Sequence, residues 1–264
     1  MQRRYRCLQW LGVSLMLWAS TAMASSRVET LVFSDGQSLR MVYSAPEHPT
    51  AILLMLPGGS GRVGLDKAGQ PRHARDFTVR TRADWLARGY AVALPDSPDH
   101  HNLRGQRHTQ AYAEDVSRII DRLRQQSSLP IFLIGTSQGS IAALNVAAHV
   151  PDIKGIVLAE SVTVKGRSGE TVFDASPSTV SVPVLIVANR QDRCWVAPPD
   201  HASRLAAALT ASPDVRVIQV DGGTQKSSRA CGALSPHGYY GIERTVMDDI
   251  DHWLTQLLTA KAHS

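Results

Sequence analysis

The chain has 264 residues and a formal net charge of +5, from 28 lysines and arginines against 23 aspartates and glutamates. This length suits one medium-sized domain that can bury a sizeable core. A charge balance this even gives no sign of the concentrated basic face of a nucleic-acid-binding domain, so no nucleic-acid partner is expected.

The first residues of the chain have the pattern of a secretory signal peptide. Three arginines precede an uncharged stretch from Cys7 to Met23, and residues 22–24 have the small-x-small form of a cleavage site. We therefore predict a signal peptide over residues 1–24 and export to the periplasm or out of the cell. An uncleaved membrane anchor is the alternative, because the stretch is just long enough to span a bilayer. Its polar residues argue against a stable anchor; they are Gln9, Ser14, Ser20 and Thr21.

Removal of residues 1–24 would change both the charge and the cysteine count. Three arginines and Cys7 leave, so 240 residues remain with a net charge near +2. The remaining cysteines are Cys194 and Cys231, and two cysteines in an exported protein are typical of a disulfide. This bridge would close a loop of about 37 residues and stabilise the fold by about 3–4 kcal/mol.

The predicted elements begin with an antiparallel hairpin. Residues Arg27 to Phe33 and Ser38 to Ser44 alternate in polarity around a Ser-Asp-Gly-Gln turn. Continuous apolar runs follow at residues 51–56, 90–95, 130–135, 155–159, 182–188 and 215–220. Strands that are apolar throughout are typical of a sheet covered by helices on both faces.

Helical stretches separate these runs. The spacing predicts helices over residues 80–88, 110–125, 138–150, 200–211 and 242–261. Strands that alternate with helices predict an α/β fold with a doubly wound, mostly parallel sheet, in a single domain over residues 25–264. Such folds bind ligands at the carboxyl ends of the strands. Residues 161–181 show no helical period and are predicted to form a loop.

A short motif stands at one of these strand ends. Gly135-Thr136-Ser137-Gln138-Gly139 directly follows one predicted strand and directly precedes a predicted helix. It matches the pattern G-x-S-x-G, in which a sharp turn holds a serine hydroxyl out from the sheet. A role for Ser137 as an ordinary helix N-cap is the alternative. With this motif the chain resembles the α/β-hydrolase fold family over essentially its whole mature length, which implies that Ser137 is a nucleophile.

The resemblance also implies a histidine base and an acid, because a serine hydroxyl is a poor nucleophile at neutral pH. In this family the acid and then the histidine follow the serine along the chain. Asp192 comes just after run 182–188, and His237 follows the last predicted strand. We therefore expect Asp192 and His237 to be the partners of Ser137, with Glu160 as the alternative acid. The predicted Cys194–Cys231 disulfide lies near both residues in the sequence. Besides stabilising the fold, it would then also position the loops that carry Asp192 and His237.

An acyl-transfer site also needs N–H groups aimed at the developing oxyanion. Pro57-Gly58-Gly59-Ser60 follows run 51–56, where the family has a histidine-glycine turn for this purpose. Proline replaces that histidine here, which leaves open which amide donates. Gly59 is the expected donor together with Gln138, and Ser60 is the alternative.

Two further predicted loops carry clusters of ionisable side chains that have no role in the proposed triad. Asp96, Asp99, His100, His101 and His108 lie in one loop, and such residues can bind a metal. No ligand spacing organises them, so no metal is predicted. Residues 61–77 carry four basic residues that either line the entrance and favour an anionic group or form a solvated surface; they are Arg62, Lys67, Arg72 and Arg75.

The resemblance implies a carboxylic ester or thioester hydrolase that needs no cofactor. A peptidase or acyltransferase with the same triad is the alternative, and a non-catalytic binding module on this fold is an alternative of another class. Residues 161–181 are too few for the cap that covers many of these sites, so we predict little or no cap and an open site. The expected substrate is a small or polymer-borne ester, and no oligomeric state is predicted.

Overall fold

The chain folds around one eight-stranded sheet. A computed structural model describes residues 25–33, 36–150 and 152–260. The strand order is β1-β2-β4-β3-β5-β6-β7-β8, with β1, β2 and β4 paired antiparallel and the remaining neighbours parallel. This confirms the predicted α/β fold with an N-terminal hairpin. The predicted signal peptide, residues 1–24, lies outside the described residues.

The strands lie close to the predicted apolar runs. Their bounds are β1 Ser25–Val32, β2 Ser38–Ala45, β3 Ile52–Leu56, β4 Ala91–Pro95, β5 Ile131–Thr136, β6 Gly155–Ala159, β7 Val184–Asn189 and β8 Val215–Val220. Strands β3 to β7 are buried at every residue, because helices cover both faces of the sheet. The edge strand β8 instead has mostly exposed and partly buried residues, and only its last residue, Val220, is buried.

Two apolar cores lie on opposite faces of the sheet. Their helices are α1 Phe77–Arg80, α2 Arg82–Ala87, α3 Gln110–Gln126, α4 Gln138–His149, α5 Ala202–Ala208 and α6 Glu243–Thr259. Helices α3, α4 and α5 pack on one face, and α1, α2 and α6 on the other. None of the helices in the described ranges is both long and apolar enough to cross a membrane.

Residues 161–181 form a well-packed connection, not a cap domain. They contain two short 3-10 turns, at Val172–Ala175 and Pro177–Thr179, and otherwise irregular chain. Val162, Val172 and Val180 are fully buried in the core that includes α4. The predicted loop is therefore confirmed, and none of its residues lines the cavity at Ser137.

The predicted helix over residues 80–88 is two short helices in the structure. The first begins three residues earlier, at Phe77, because the carboxylate of Asp76 caps it by accepting from the Thr78 amide at 3.0 Å. The acid at position 76 is the signal in the sequence that could have indicated this start. The shift matters because it places Asp76 beside the Pro57-Gly58-Gly59 turn.

Candidate active site

Ser137 lies on a sharp turn between β5 and α4. Its backbone has φ 55° and ψ −119°, a conformation that costs about 1–3 kcal/mol and is typical of functional sites. The turn is held by a hydrogen bond from the Ser137 amide to the Ala159 carbonyl at 2.8 Å. The hydroxyl is thus fixed at the carboxyl end of the sheet, where the fold places its ligands.

The two glycines of the motif are required by close backbone contacts. A Cβ atom on Gly135 would lie 2.1 Å from the carbonyl oxygen of Gly139, and one on Gly139 would lie 1.9 Å from the carbonyl oxygen of Leu56. Any side chain at either position would force the turn open. The pattern G-x-S-x-G therefore has a steric cause here.

The structure brings Ser137, His237 and Asp192 into one hydrogen-bonded chain. The Oγ of Ser137 lies 2.9 Å from Nε2 of His237, and Nδ1 of His237 lies 2.7 Å from Oδ2 of Asp192. His237 and Asp192 are buried, with 3% and 6% of their surfaces exposed. In the neutral ring, Nδ1 donates to the carboxylate and Nε2 can accept the serine proton.

The loops that carry Asp192 and His237 are tied to each other. The side-chain amide of Asn189 donates to the Gly222 carbonyl at 2.9 Å and to the Pro236 carbonyl at 3.0 Å. The Cys194 amide donates to Oδ1 of Asp192 at 2.7 Å. Cys194 itself is disulfide-bonded to Cys231, as predicted. These bonds fix the acid and the imidazole relative to one another.

Glu160, the alternative acid, lies behind the Asp192 carboxylate. It is 1% exposed, and neither of its oxygens has a hydrogen bond of normal geometry within the described residues. Burial, and then the negative charge of Asp192, raise the pKa of the Glu160 carboxyl well above its usual value. The structure therefore places Asp192, and not Glu160, on the imidazole.

Glu160, Asp192 and His237 also bring one donor atom each within 4.8 Å of one another. Such a set can hold a metal, but Asp192 and His237 already bond to each other at 2.7 Å. Oδ1 of Asp192 is taken by the Cys194 amide. This cluster is therefore organised as a hydrogen-bonded chain.

The acidic groups of the histidine-rich loop bond to different parts of the fold. Asp96 accepts from the amides of Val63 and Leu65 at 2.8 and 2.9 Å, and His100 lies 3.2 Å from it. His108 lies 3.1 Å from a buried carboxylate of another loop, Glu170. In the described residues, the acidic and histidine side chains of this loop thus bond to neighbouring loops and stabilise their positions.

The Pro57-Gly58-Gly59-Ser60 turn faces the serine. A Cβ atom on Gly58 would lie 3.1 Å from the Cβ of Ser137. The Gly58 amide is already used, since it donates to Oδ2 of Asp76 at 3.0 Å. Gln138 is the first residue of α4, so its amide has no acceptor in a preceding helical turn. The amides of Gly59, Ser60 and Gln138 are thus the candidates for an oxyanion site.

Arg107 is a buried residue beneath this turn that the sequence analysis did not single out. Its guanidinium donates to the Gly59 carbonyl at 3.1 Å and to the Pro57 carbonyl at 3.2 Å. The residue is 1% exposed. In a trans peptide the N–H lies opposite the C=O, so the amides of these two peptides, those of Gly58 and Ser60, point away from Arg107. The Gly58 amide donates to Asp76, so the Ser60 amide is the one of the two that this contact leaves for the cavity. A lone arginine in a polar loop gives no sequence signal for this role.

A cavity of about 720 Å³ opens above Ser137 and His237. We define its arginine rim as the exposed arginines that line it, which are Arg62, Arg72, Arg75, Arg104 and Arg229. Three of them belong to the basic loop of residues 61–77. Arg104 and Arg229 come from distant parts of the sequence, so the sequence alone could not place them here.

Three comparisons with known proteins bear on this site. The profile of a hydrolase family described as "Serine aminopeptidase, S33" matches residues 73–168, less than half of the chain. A search of the curated proteins found no match. The search of solved structures found several neighbours of similar fold.

An esterase from Pyrococcus furiosus superposes with a TM-score of 0.66 at 12% identity, covering 89% of this chain and 91% of its own. Est1E from Butyrivibrio proteoclasticus gives a TM-score of 0.60 at 14% identity, with 88% and 99% covered. The dienelactone hydrolase of Anabaena variabilis gives 0.63 at 14% identity, with 88% and 98% covered. At these identities the likeness establishes the fold.

Proposed function

This chain has the α/β-hydrolase fold, and from that premise we propose that it is a serine hydrolase that cleaves a carboxylic ester or thioester. The observation that carries the proposal is the continuous hydrogen-bonded chain from Ser137 through His237 to Asp192 at 2.9 and 2.7 Å. The strained backbone of Ser137 supports it, because a helix N-cap would need no such conformation.

In the proposed reaction the Oγ of Ser137 attacks the substrate carbonyl. His237 takes the hydroxyl proton at Nε2, and Asp192 stabilises the imidazolium that forms. The carbonyl oxygen becomes an oxyanion that accepts from the amides of Gln138 and Gly59, or of Ser60 in the alternative arrangement. The C–O bond to the alcohol then breaks, and His237 gives its proton to the leaving oxygen.

Deacylation repeats these steps with water. His237 takes a proton from the water molecule as its oxygen attacks the acyl carbonyl, and the ester bond to Ser137 breaks. The proton returns to the Ser137 oxygen, and a carboxylic acid leaves. The residues named supply all proton transfers, so the mechanism uses no cofactor.

A peptidase is the second candidate, and the match to the family described as a serine aminopeptidase favours it. The same three residues would then protonate an amine leaving group. Hydrolysis of 4-nitroanilides of amino acids would separate this candidate from an esterase, since anilides are poor substrates for esterases.

Export is part of the proposal. It rests on the pattern of residues 1–24 and is supported by the Cys194–Cys231 disulfide, because disulfides persist in oxidising compartments. Detection of a mature chain that starts at Ser25 in the periplasm or medium would test it.

A fluorophosphonate probe tests the proposed nucleophile. The parent protein should label covalently, whereas Ser137→Ala and His237→Ala should not. Ser203→Ala removes an exposed hydroxyl on α5 and is the matched control, which should label like the parent. Hydrolysis of short-chain esters should fall by about 10⁴-fold or more in Ser137→Ala.

A folded parent protein that is disulfide-bonded and fails to label would contradict the proposed activity. The binding module on the same fold would then be the better interpretation. Labelling with hydrolysis of anilides but not of esters would favour the peptidase.

A further inference from the structure

The arginine rim places several like charges around one cavity. Arg62, Arg72, Arg75, Arg104 and Arg229 all line the space above Ser137. None of the five side chains has a carboxylate partner within the described part of the chain. Like charges in a concave site repel one another and raise its positive potential. An anion bound between them would relieve this repulsion.

Several arginines elsewhere on the surface are paired with carboxylates. Arg80 bonds Glu243 at 2.9 Å, and Arg122 bonds Glu29 at 2.7 Å. Arg216 bonds Asp214 at 3.0 Å. Other exposed arginines of the described ranges, such as Arg167, Arg193 and Arg244, also lack a carboxylate partner. The rim differs from them because five such arginines line one cavity.

The cavity has one acidic residue among its described lining residues, Asp76. Both of its oxygens are already bonded, Oδ2 to the Gly58 amide at 3.0 Å and Oδ1 to the Thr78 hydroxyl at 2.7 Å. Asp76 therefore holds the backbone of the turn and has no salt bridge to the rim, and its single negative charge leaves the five arginines in excess.

The loop that carries Arg62 and Arg72 is held in place by its backbone. Val63 and Leu65 are buried at 1% and 2% exposure, and their amides donate to Asp96. Leu65 also forms an isolated β-bridge with Pro71. Binding an anion here would order only side chains, which keeps the entropic cost low.

Arg229 is held by the loop that the disulfide closes. Its carbonyl accepts from the Gly232 amide at 3.0 Å, and Cys231 lines the same cavity. The disulfide joins this loop to the loop of the proposed acid. The rim and the proposed catalytic residues thus have a fixed relation to each other.

Arg104 lies beside the proposed oxyanion turn. A Cβ atom on Gly59 would lie 3.6 Å from its Nη2. An anionic group bound by Arg104 would therefore lie beside the oxyanion turn, next to the carbonyl that Ser137 would attack.

We propose that the substrate is an ester that carries a second group with negative oxygens, a carboxylate or a phosphate, and that the arginine rim binds this group. The inference rests on the proposed esterase function. Guanidinium groups suit this role because their forked N–H donors match the paired oxygens of carboxylates and phosphates. The rim then selects the substrate, and the buried residues below it act on the carbonyl.

Matched acetate esters test the inference. The probes are 4-acetoxybenzoate and 4-acetoxyphenyl phosphate, compared with the neutral methyl 4-acetoxybenzoate. The anionic esters should have kcat/KM about tenfold or more above that of the neutral one, through a lower KM. Raising the ionic strength should reduce this preference, because salt screens exposed charges. Whichever anionic ester is preferred identifies the kind of oxygen group that the rim binds.

Variants of the rim give the second part of the test. Arg104→Gln, Arg75→Gln and Arg229→Gln should each reduce the ratio of anionic to neutral kcat/KM by about threefold to tenfold. Arg216→Gln is the control, because it removes the same charge from an exposed arginine on β8. Its ratio should match that of the parent.

The outcomes separate this inference from the function on which it rests. Equal use of anionic and neutral esters by a protein that labels with fluorophosphonate would overturn the anionic substrate and leave the esterase standing. Equal ratios in the rim variants and in Arg216→Gln would also overturn it. A protein that neither labels nor hydrolyses any ester would contradict the proposed function itself.

Discussion

Arg104 and Arg107 lie three residues apart in one loop and have opposite surroundings. Arg107 is 1% exposed and donates to two carbonyls of the Pro57-Gly58-Gly59 turn. Arg104 is exposed, faces the cavity and has no carboxylate partner within the described residues. At position 107 the arginine thus forms hydrogen bonds with the protein's backbone, whereas at position 104 it can bind a ligand in the cavity.

The same contrast, between residues bonded within the protein and residues without an internal partner, holds between the buried catalytic residues and the arginine rim. In the buried level Ser137, His237 and Asp192 are joined by hydrogen bonds, so changes there should alter chemistry or stability. In the arginine rim the charges lack internal partners, so changes there should alter substrate choice. Three further experiments could break this distinction or sharpen it.

Removal of the disulfide should have the largest effect. The Cys194→Ala/Cys231→Ala double variant opens a loop of 37 residues, and we expect the free energy of unfolding to fall by about 3–4 kcal/mol. Urea denaturation of the parent, the reduced parent and the double variant measures this loss. Because the bridge also holds the Arg229 loop, the preference for anionic esters should decrease at temperatures where the variant stays folded.

A double variant as stable as the oxidised parent would show that the bridge does not constrain the chain. If the free energy of unfolding were unchanged but the preference for anionic esters were lost, the disulfide would serve only to position Arg229 and would not stabilise the fold.

Replacement of Arg107 should reduce turnover. Arg107→Met leaves the Pro57 and Gly59 carbonyls without their donor, so the turn that carries the candidate Gly59 and Ser60 amides loses this support. We expect kcat on methyl 4-acetoxybenzoate to fall by about 10–100-fold with little change in KM. The lower kcat at constant KM would distinguish positioning from a loss of binding.

Arg107→Lys provides a matched comparison, since an ammonium can reach one carbonyl but lacks the guanidinium fork. It should recover part of the turnover. If Arg107→Met instead changed the anionic preference and left kcat intact, the two arginines would not differ in role.

Glu160 should produce a smaller effect that depends on pH. Its pKa is raised in the folded protein by burial and by Asp192, so the folded state binds a proton that the unfolded state releases. Its stabilising contribution is complete below the unfolded pKa of 4.5 and is lost as the pH rises toward the folded pKa. Glu160→Gln carries no titrating group, so its unfolding free energy should decline less than that of the parent as the pH rises above 4.5.

Urea denaturation at several pH values measures that decline. Glu114→Gln removes an exposed carboxylate on α3 and is the control. Identical pH profiles for Glu160→Gln and the parent would mean that Glu160 does not hold its proton in the folded state.

Much of the fold could be predicted from local sequence. Continuous apolar runs indicate buried strands, and the observed strands β3 to β7 lie within a few residues of those runs. The start at Phe77 was missed, because it depends on a cap from Asp76 and not on hydrophobic spacing. The cysteine pair was also predictable, since only two cysteines remain after residue 24.

The residue types at the site could be identified from the sequence. A serine between two glycines after a strand, an acid after a later strand and a histidine near the last helix could be identified by order along the chain. These positions follow from local sterics and from the rule that parallel strands end at one edge of the sheet.

Which of these groups lie next to one another became known from the folded structure. It placed Asp192 rather than Glu160 on His237, buried Arg107 below the oxyanion turn, and joined Arg104 and Arg229 to the basic loop. The reason is physical: charges interact through space, and the distance between distant segments is set by how the sheet and its loops pack. A sequence records the charge of each residue, whereas the fold determines whether that charge has a partner.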